Sequence, residues 1–154
     1  SESDLLKITQ LFAEYLSETY HEFSLLAIMH PSGKYLQVYD ERWKCWLFPY
    51  YRTEDPNKEN IDRHASCLLK MKVTTSYITN APHCKYSDSD KAYKLYKHTL
   101  YRYALSDVPE HMSSDVFVLD DKKYAWKSIE ELEADSNVME KNDDIIAFVK
   151  TKCR

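Results

Sequence analysis

Tyr124-Ala125-Trp126-Lys127-Ser128-Ile129-Glu130-Glu131-Leu132 is the stretch on which the fold of this chain turns. Tyr124–Trp126 is an extended segment, and Ser128 followed three residues later by Glu131 is a capping box, the mark of a helix start. Upstream, Val116–Leu119 is a short apolar strand and Asp120-Asp121-Lys122 a turn; downstream, Asn142 is placed to cap a last helix over Asp143–Lys152, with Ile145, Ile146 and Val149 facing inward. A second stretch, Trp43–Phe48, alternates as a strand and is stopped by Pro49. Before it, Phe23–Met29 is an apolar run interrupted only by Ser24, as expected of a strand buried on both faces, and His30-Pro31-Ser32-Gly33 turns it into a return strand, Tyr35–Tyr39. Leu5, Ile8, Phe12, Tyr15 and Leu16 recur at helical spacing, so Asp4 to about Tyr20 is expected to be an amphipathic helix. Between the two stretches the pattern predicts a polar loop over Arg52–Asn60 and a helix over Ile61–Val73, with Ile61, Ala65, Leu68, Leu69 and Lys72 along one stripe. It then predicts a β-prone Thr74–Thr79, a loop over Pro82–Asp90, a tyrosine-rich strand over Tyr96–Leu105 and a loop over Pro109–Ser114. Strands interrupted by a single helix imply an α+β class with a mixed sheet, arranged as an N-terminal helix (1–21) added to one domain (22–154).

Composition narrows the chemistry. The 154 residues make one domain, and the single glycine, Gly33, excludes both a Walker-type phosphate loop and a dinucleotide fingerprint, each of which needs at least two. No run of about 18 apolar residues is present, so no membrane-spanning helix is expected. No secretory leader opens the chain, and Ser1 in place of Met suits a processed product or a domain of a longer chain. The four cysteines, Cys45, Cys67, Cys84 and Cys153, form no CxxC pair, so free thiols and a cytoplasmic location are expected. Residues 1–106 hold 14 basic and 13 acidic side chains, and 107–144 hold 4 basic and 12 acidic. An anionic ligand is thus expected on the first two-thirds, and duplex DNA is not an expected partner.

Two segments carry a family resemblance. Trp46-Leu47-Phe48-Pro49 resembles the strand that leads into the catalytic motif of Nudix hydrolases, commonly Trp-x-(Leu/Phe)-Pro-Gly-Gly. Tyr124–Leu132 is similar to the family's later aromatic-x-Trp-x-Ser-x-Glu-Glu-Leu segment. The resemblance spans residues 20–150 and implies a Nudix-like α/β/α sandwich with a mixed sheet. The departures matter more than the match. Tyr50-Tyr51 stands where the family has Gly-Gly; with Glu59 as the first motif glutamate, the arginine becomes Cys67, the three later glutamates become Leu68, Met71 and Lys72, and the motif glycine becomes Thr74. Those glutamates hold Mg²⁺ or Mn²⁺, hard cations that need oxygen ligands, which thioether, alkyl and ammonium groups cannot replace. The resemblance therefore implies a degenerate Nudix-like domain, without metal or other cofactor, that binds a nucleotide or nucleotide-derived ligand without cleaving it.

The candidate ligand-binding residues are Trp46, Tyr50, Tyr51, Arg52, Lys70, Lys72, Tyr101, Arg102 and Tyr103: aromatic faces to stack a base, cations to meet phosphates. The last three belong to a run, Lys85 to Tyr103, that interleaves bases with aromatics. Glu54, Asp55, Glu59 and Asp62 form an acidic cluster that is most simply explained by the helix dipole, with Glu59 and Asp62 as relocated carboxylates if a metal-dependent nucleoside-diphosphate hydrolase survives. His64 with Cys67, and His83-Cys84, match no structural zinc spacing. A third reading is an interaction module, partnering another protein or other domains of a longer chain through the tyrosine-rich or the acidic 107–144 surface. Degenerate relatives of this kind imply a sensor role beside second-messenger synthases in bacterial antiviral defence.

Overall fold

A predominantly apolar segment belongs between two layers, and that is where the centre of the first strand lies. The structure is a computed structural model describing residues 1–15, 20–87 and 89–153. β1 (Tyr20–Met29) has Ser24 to Ile28 all buried and pairs in parallel with β6 (Ala92–Ala104) over its full length. The Gly33 turn, with φ +92° and its N–H bonded to the His30 carbonyl at 2.8 Å, leads to β2 (Tyr35–Asp40). β1 and β2 meet only at Met29 and Tyr35 and then diverge. The gap is filled from both sides: β3 (Cys45–Leu47) pairs with β2 and β4 (Tyr50–Arg52) with β1. β5 (Ser76–Ser87), β7 (Val116–Leu119) and β8 (Lys122–Lys127) complete a mixed sheet of order β5-β6-β1-β2-β8-β7.

The helices cover both faces. α3 (Ile129–Glu133) and α4 (Ser136–Lys152) bury Leu132, Val138, Ile145, Ile146 and Val149 against Leu25, Ala27, Tyr35, Phe48 and Leu100. α2 (Asn57–Leu69) buries Ile61, Ala65 and Leu69 against Leu26, Ile28, Leu36, Tyr101 and Trp126 on the other face. The expected α+β sandwich, the Tyr35 return strand, the Asp120-Asp121 turn and the Ser128 capping box are all present. Asp120 and Asp121 hold φ of 49° and 64°, as a two-residue hairpin turn demands. Ser128 Oγ accepts from the Glu131 N–H at 3.0 Å, while Glu131 Oε1 accepts from the Ser128 N–H at 3.1 Å.

Four expectations are corrected. The N-terminal helix, α1 (Glu2–Tyr15), does not extend to Tyr20, which starts β1; residues 16–19, with Leu16 and Glu18, lie outside the described residues. Leu5 and Ile8 of α1 are exposed. α2 begins at Asn57, within the expected loop, and ends at Leu69 rather than Val73. Asn57 Oδ1 accepts from the Glu54 N–H at 3.1 Å, and Lys70 turns left-handed at φ 53° so that Ser66 Oγ accepts from the Val73 N–H at 3.0 Å. Pro82 lies in the middle of β5 because β5 is an edge strand, where a missing N–H costs no ladder bond; the expected 82–90 loop is strand as far as Ser87. Asn142 sits at a kink (φ −140°) where two helices meet within α4, so a helix does follow it, but its Oδ1 accepts from Lys85 Nζ rather than from a helix N–H; the N-cap of α4 as a whole is Asp135.

Candidate functional site

The divergence of β1 from β2 opens the sheet, and a groove of about 230 Å³ lies there on the α4 face. Its walls are aromatic: Phe23 and Tyr50 meet edge to face at 5.8 Å, Phe23 and Tyr96 lie 6.1 Å apart, and Phe48 closes the base. Trp43 stands at the rim, 44% exposed, on the β2–β3 turn. That turn is held by the Trp43 and Lys44 N–H groups, which donate to Asp40 Oδ1 (2.8 Å) and the Asp40 carbonyl (2.7 Å). Arg42 Cζ and Lys141 Nζ each lie 5.8 Å from the Trp43 ring centroid. The rim thus sets one exposed aromatic ring beside two cations.

The polar groups of the groove come from β5, β6 and α4. Lys85 Nζ donates to Asn142 Oδ1 at 3.0 Å and pairs with Asp144 at 3.1 Å, which fixes the kink of α4 against the sheet. His83 and His98 face each other Nδ1 to Nδ1 at 2.9 Å, so one donates and the other accepts. Burial, with the adjacent His83 and Lys85, pushes the His98 imidazole down to about 3, and burial with Lys85 also lowers His83. The groove therefore carries neutral imidazole at its floor and cations at its rim.

A second groove, of about 520 Å³, adjoins it through Arg42, Leu47 and Tyr50 and opens between the end of β2 and the β7–β8 turn. It mixes Asp40, Glu41 and Asp121 with Lys122 and Lys123 and so has no single charge sign.

The nine sequence-derived candidates are not brought together. Tyr50 lines both grooves. Trp46 stands beside Tyr39 (5.2 Å), with the Lys123 and Lys127 amines 5.5 Å from its ring. Tyr51 turns to the α2 face and stacks on His64 at 3.8 Å, where burial pushes its phenol up; Arg52 is exposed at the end of β4. Tyr101 is buried and hydrogen-bonded through its hydroxyl to Asn57 Nδ2 at 3.0 Å, with Tyr103 on the same side of β6. Arg102 points to the opposite face, as alternate strand residues must. Lys70 and Lys72 are exposed beyond the C-terminus of α2. Groove residues that sequence alone did not nominate include Phe23, Arg42, Trp43, Phe48 and Asn142, which come from β1, the β2–β3 turn, the β3–β4 connection and α4 and lack any local spacing in common.

The α2 region does not suit a divalent cation. Of the motif positions, Cys67 and Leu68 lie on the helix, while Met71, Lys72 and Thr74 fall past its end. Glu59 is exposed on its first turn. Asp62 is committed elsewhere: its carboxylate accepts from Lys58 Nζ (2.6 Å), the Thr75 N–H (2.8 Å) and Thr75 Oγ1 (2.6 Å). Partial burial raises this carboxyl, but the bonds from Lys58 and Thr75 outweigh it and hold it below the usual carboxylate range. Among the described residues, no three His, Cys, Asp or Glu side chains gather to hold a metal ion.

Solved structures place this arrangement. The MutT protein of Methanosarcina mazei Go1 superposes with TM-score 0.51 at 15% identity, covering 77% of this chain and 83% of that one. The Ap4A hydrolase of C. elegans gives 0.52 at 13%, covering 86% and 98%. A chain in the complex between the C-terminal domain of mouse MUTYH and human PCNA gives 0.56 at 12%, covering 86% and 90%. The chain has a Nudix-like fold. No family model and no curated protein matches its sequence. No helix among the described residues is long and apolar enough to cross a membrane.

Proposed function

We propose that this Nudix-like domain binds a nucleotide or nucleotide-derived ligand without a metal ion and without cleaving it. The groove roofed by Trp43 carries the reading. Its volume of about 230 Å³ is below the roughly 300–1,000 Å³ of pockets that engulf a whole ligand, and so suits one flat ring system with the remainder outside. Phe23, Tyr50 and Tyr96 offer ring faces and edges to a base, and Arg42 and Lys141 beside Trp43 offer charge to phosphates at the rim. The commitment of Asp62 to Thr75, and the thiol, alkyl and ammonium groups at the motif positions, support binding without turnover.

The test is a thermal-shift panel of mononucleotides and dinucleotides, Ap4A among them, run in EDTA with intrinsic Trp fluorescence as a second readout. The expected result is a shift for at least one nucleotide with no product formed. The absence of any shift at millimolar ligand refutes the reading, and so does magnesium-dependent turnover abolished by Glu59→Gln. A domain of this kind within a longer polypeptide is suited to sensing, its bound state being read by its neighbours.

A further inference from the structure

The sheet ends in two edge strands of different construction. β5 carries the devices that keep an edge from pairing: Pro82, a register shift between Tyr77 and Thr79, and Lys85. β7 has none of them; it reads Val116-Phe117-Val118-Leu119. Phe117 and Leu119 pack toward the core, while Val116 and Val118 are 47% and 66% exposed.

The ladder also fixes where the main chain points. The Trp126 N–H donates to the Asp115 carbonyl at 3.0 Å, and the β7–β8 register pairs Phe117 with Tyr124 and Leu119 with Lys122. Bonded pairs alternate along an antiparallel ladder, so Asp115, Phe117 and Leu119 bond inward and Val116 and Val118 turn their N–H and C=O groups outward. The two exposed valines thus present their side chains and their free pairing groups together.

Charge chooses the occupant. Residues 107–121 contain Asp107, Glu110, Asp115, Asp120 and Asp121 and no Lys or Arg. Among the described residues none of these acids is ion-paired. A second copy of β7 added antiparallel would set Asp115 near Asp120 of its mate, and like charges oppose that pairing. We propose that the outer edge of β7 docks an extended, lysine- or arginine-bearing polypeptide segment that joins the sheet as a further strand. Main-chain bonds to Val116 and Val118 hold the segment, its apolar residues cover the two valines, and its cations meet the flanking aspartates.

The probe is a fluorescein-labelled peptide, Lys-Val-Lys-Val-Lys-Val-Lys, titrated with the full chain and followed by anisotropy. Saturable binding that weakens with salt is expected. Val118→Pro removes an outward N–H while leaving the bonds to β8, so affinity should fall about tenfold with the far-UV spectrum unchanged. Asp115→Asn with Asp120→Asn should also weaken binding; Asn tolerates the positive φ at position 120 and keeps the turn. A peptide of the same charge, N-methylated at alternate residues, should not bind, and it decides the matter if Val118→Pro fails to fold. Equal binding of the methylated peptide, equal binding by folded Val118→Pro, or no saturation overturns the proposal. So does a dimer of this chain that dissociates on Val118→Pro.

Discussion

The His83–His98 pair makes the stability of this domain depend on pH in a calculable way. His98 is 7% exposed, and its imidazole, lowered to about 3 chiefly by burial, stays neutral in the folded chain well below the ordinary histidine range. In the unfolded chain it titrates near 6.5. Between these values the unfolded state binds a proton that the folded state refuses, so stability falls as pH falls from about 6.5 and levels off only below the folded value. From about pH 7.5 to about pH 5 the loss comes to roughly 2 kcal/mol for this one group, and His83, also lowered, adds in the same direction. The perturbation is His98→Gln, which keeps a hydrogen-bonding partner for His83 and removes the titration. Urea unfolding at both pH values should show the parent chain losing about 2 kcal/mol more than the variant. Equal losses, or an imidazole resonance of His98 that titrates near 6.5, refute the buried neutral pair.

Other consequences follow from single side chains. Asp62→Ala leaves the buried Thr75 N–H and hydroxyl without acceptors and should cost about 2–4 kcal/mol in chemical denaturation, and the parent's share from this carboxylate should fade as pH drops through its depressed folded value. Ser128→Ala removes the capping box of α3 and should lower stability by about 1 kcal/mol in the same assay. Trp43→Ala, at an exposed rim position, should leave the melting temperature nearly unchanged while weakening nucleotide binding about tenfold or more in calorimetric titration.

The fold was legible wherever local chemistry and tertiary need agree. Ser128 and Glu131 form the cap that their spacing implies, and the apolar run at the heart of β1 is buried on both faces. Legibility failed where the deciding partner is remote. Lys70 ends α2 with a left-handed residue that is not glycine, stabilised by the bond of Ser66 to Val73, and no local signal announces it. Pro82 breaks strands in general but not this one, because β5 has no neighbour on its outer side. The groove was the least legible part. Alternation along β6 sends Tyr96 and His98 into it and Tyr101 away from it, while Tyr50 enters and its neighbour Tyr51 does not. Interleaved aromatics and bases announce stacking chemistry, but which of them converge depends on strand phase and on the parting of β1 from β2.

We propose that this framework binds a nucleotide through aromatic and cationic side chains, without a metal ion and without cleaving it. The decisive experiment is calorimetric titration of the nucleotide giving the largest thermal shift, once in excess EDTA and once in excess magnesium, with chromatography of the cell contents afterwards. The same affinity and intact nucleotide are expected in both. Binding that vanishes in EDTA, or a hydrolysed product in magnesium, contradicts the proposal.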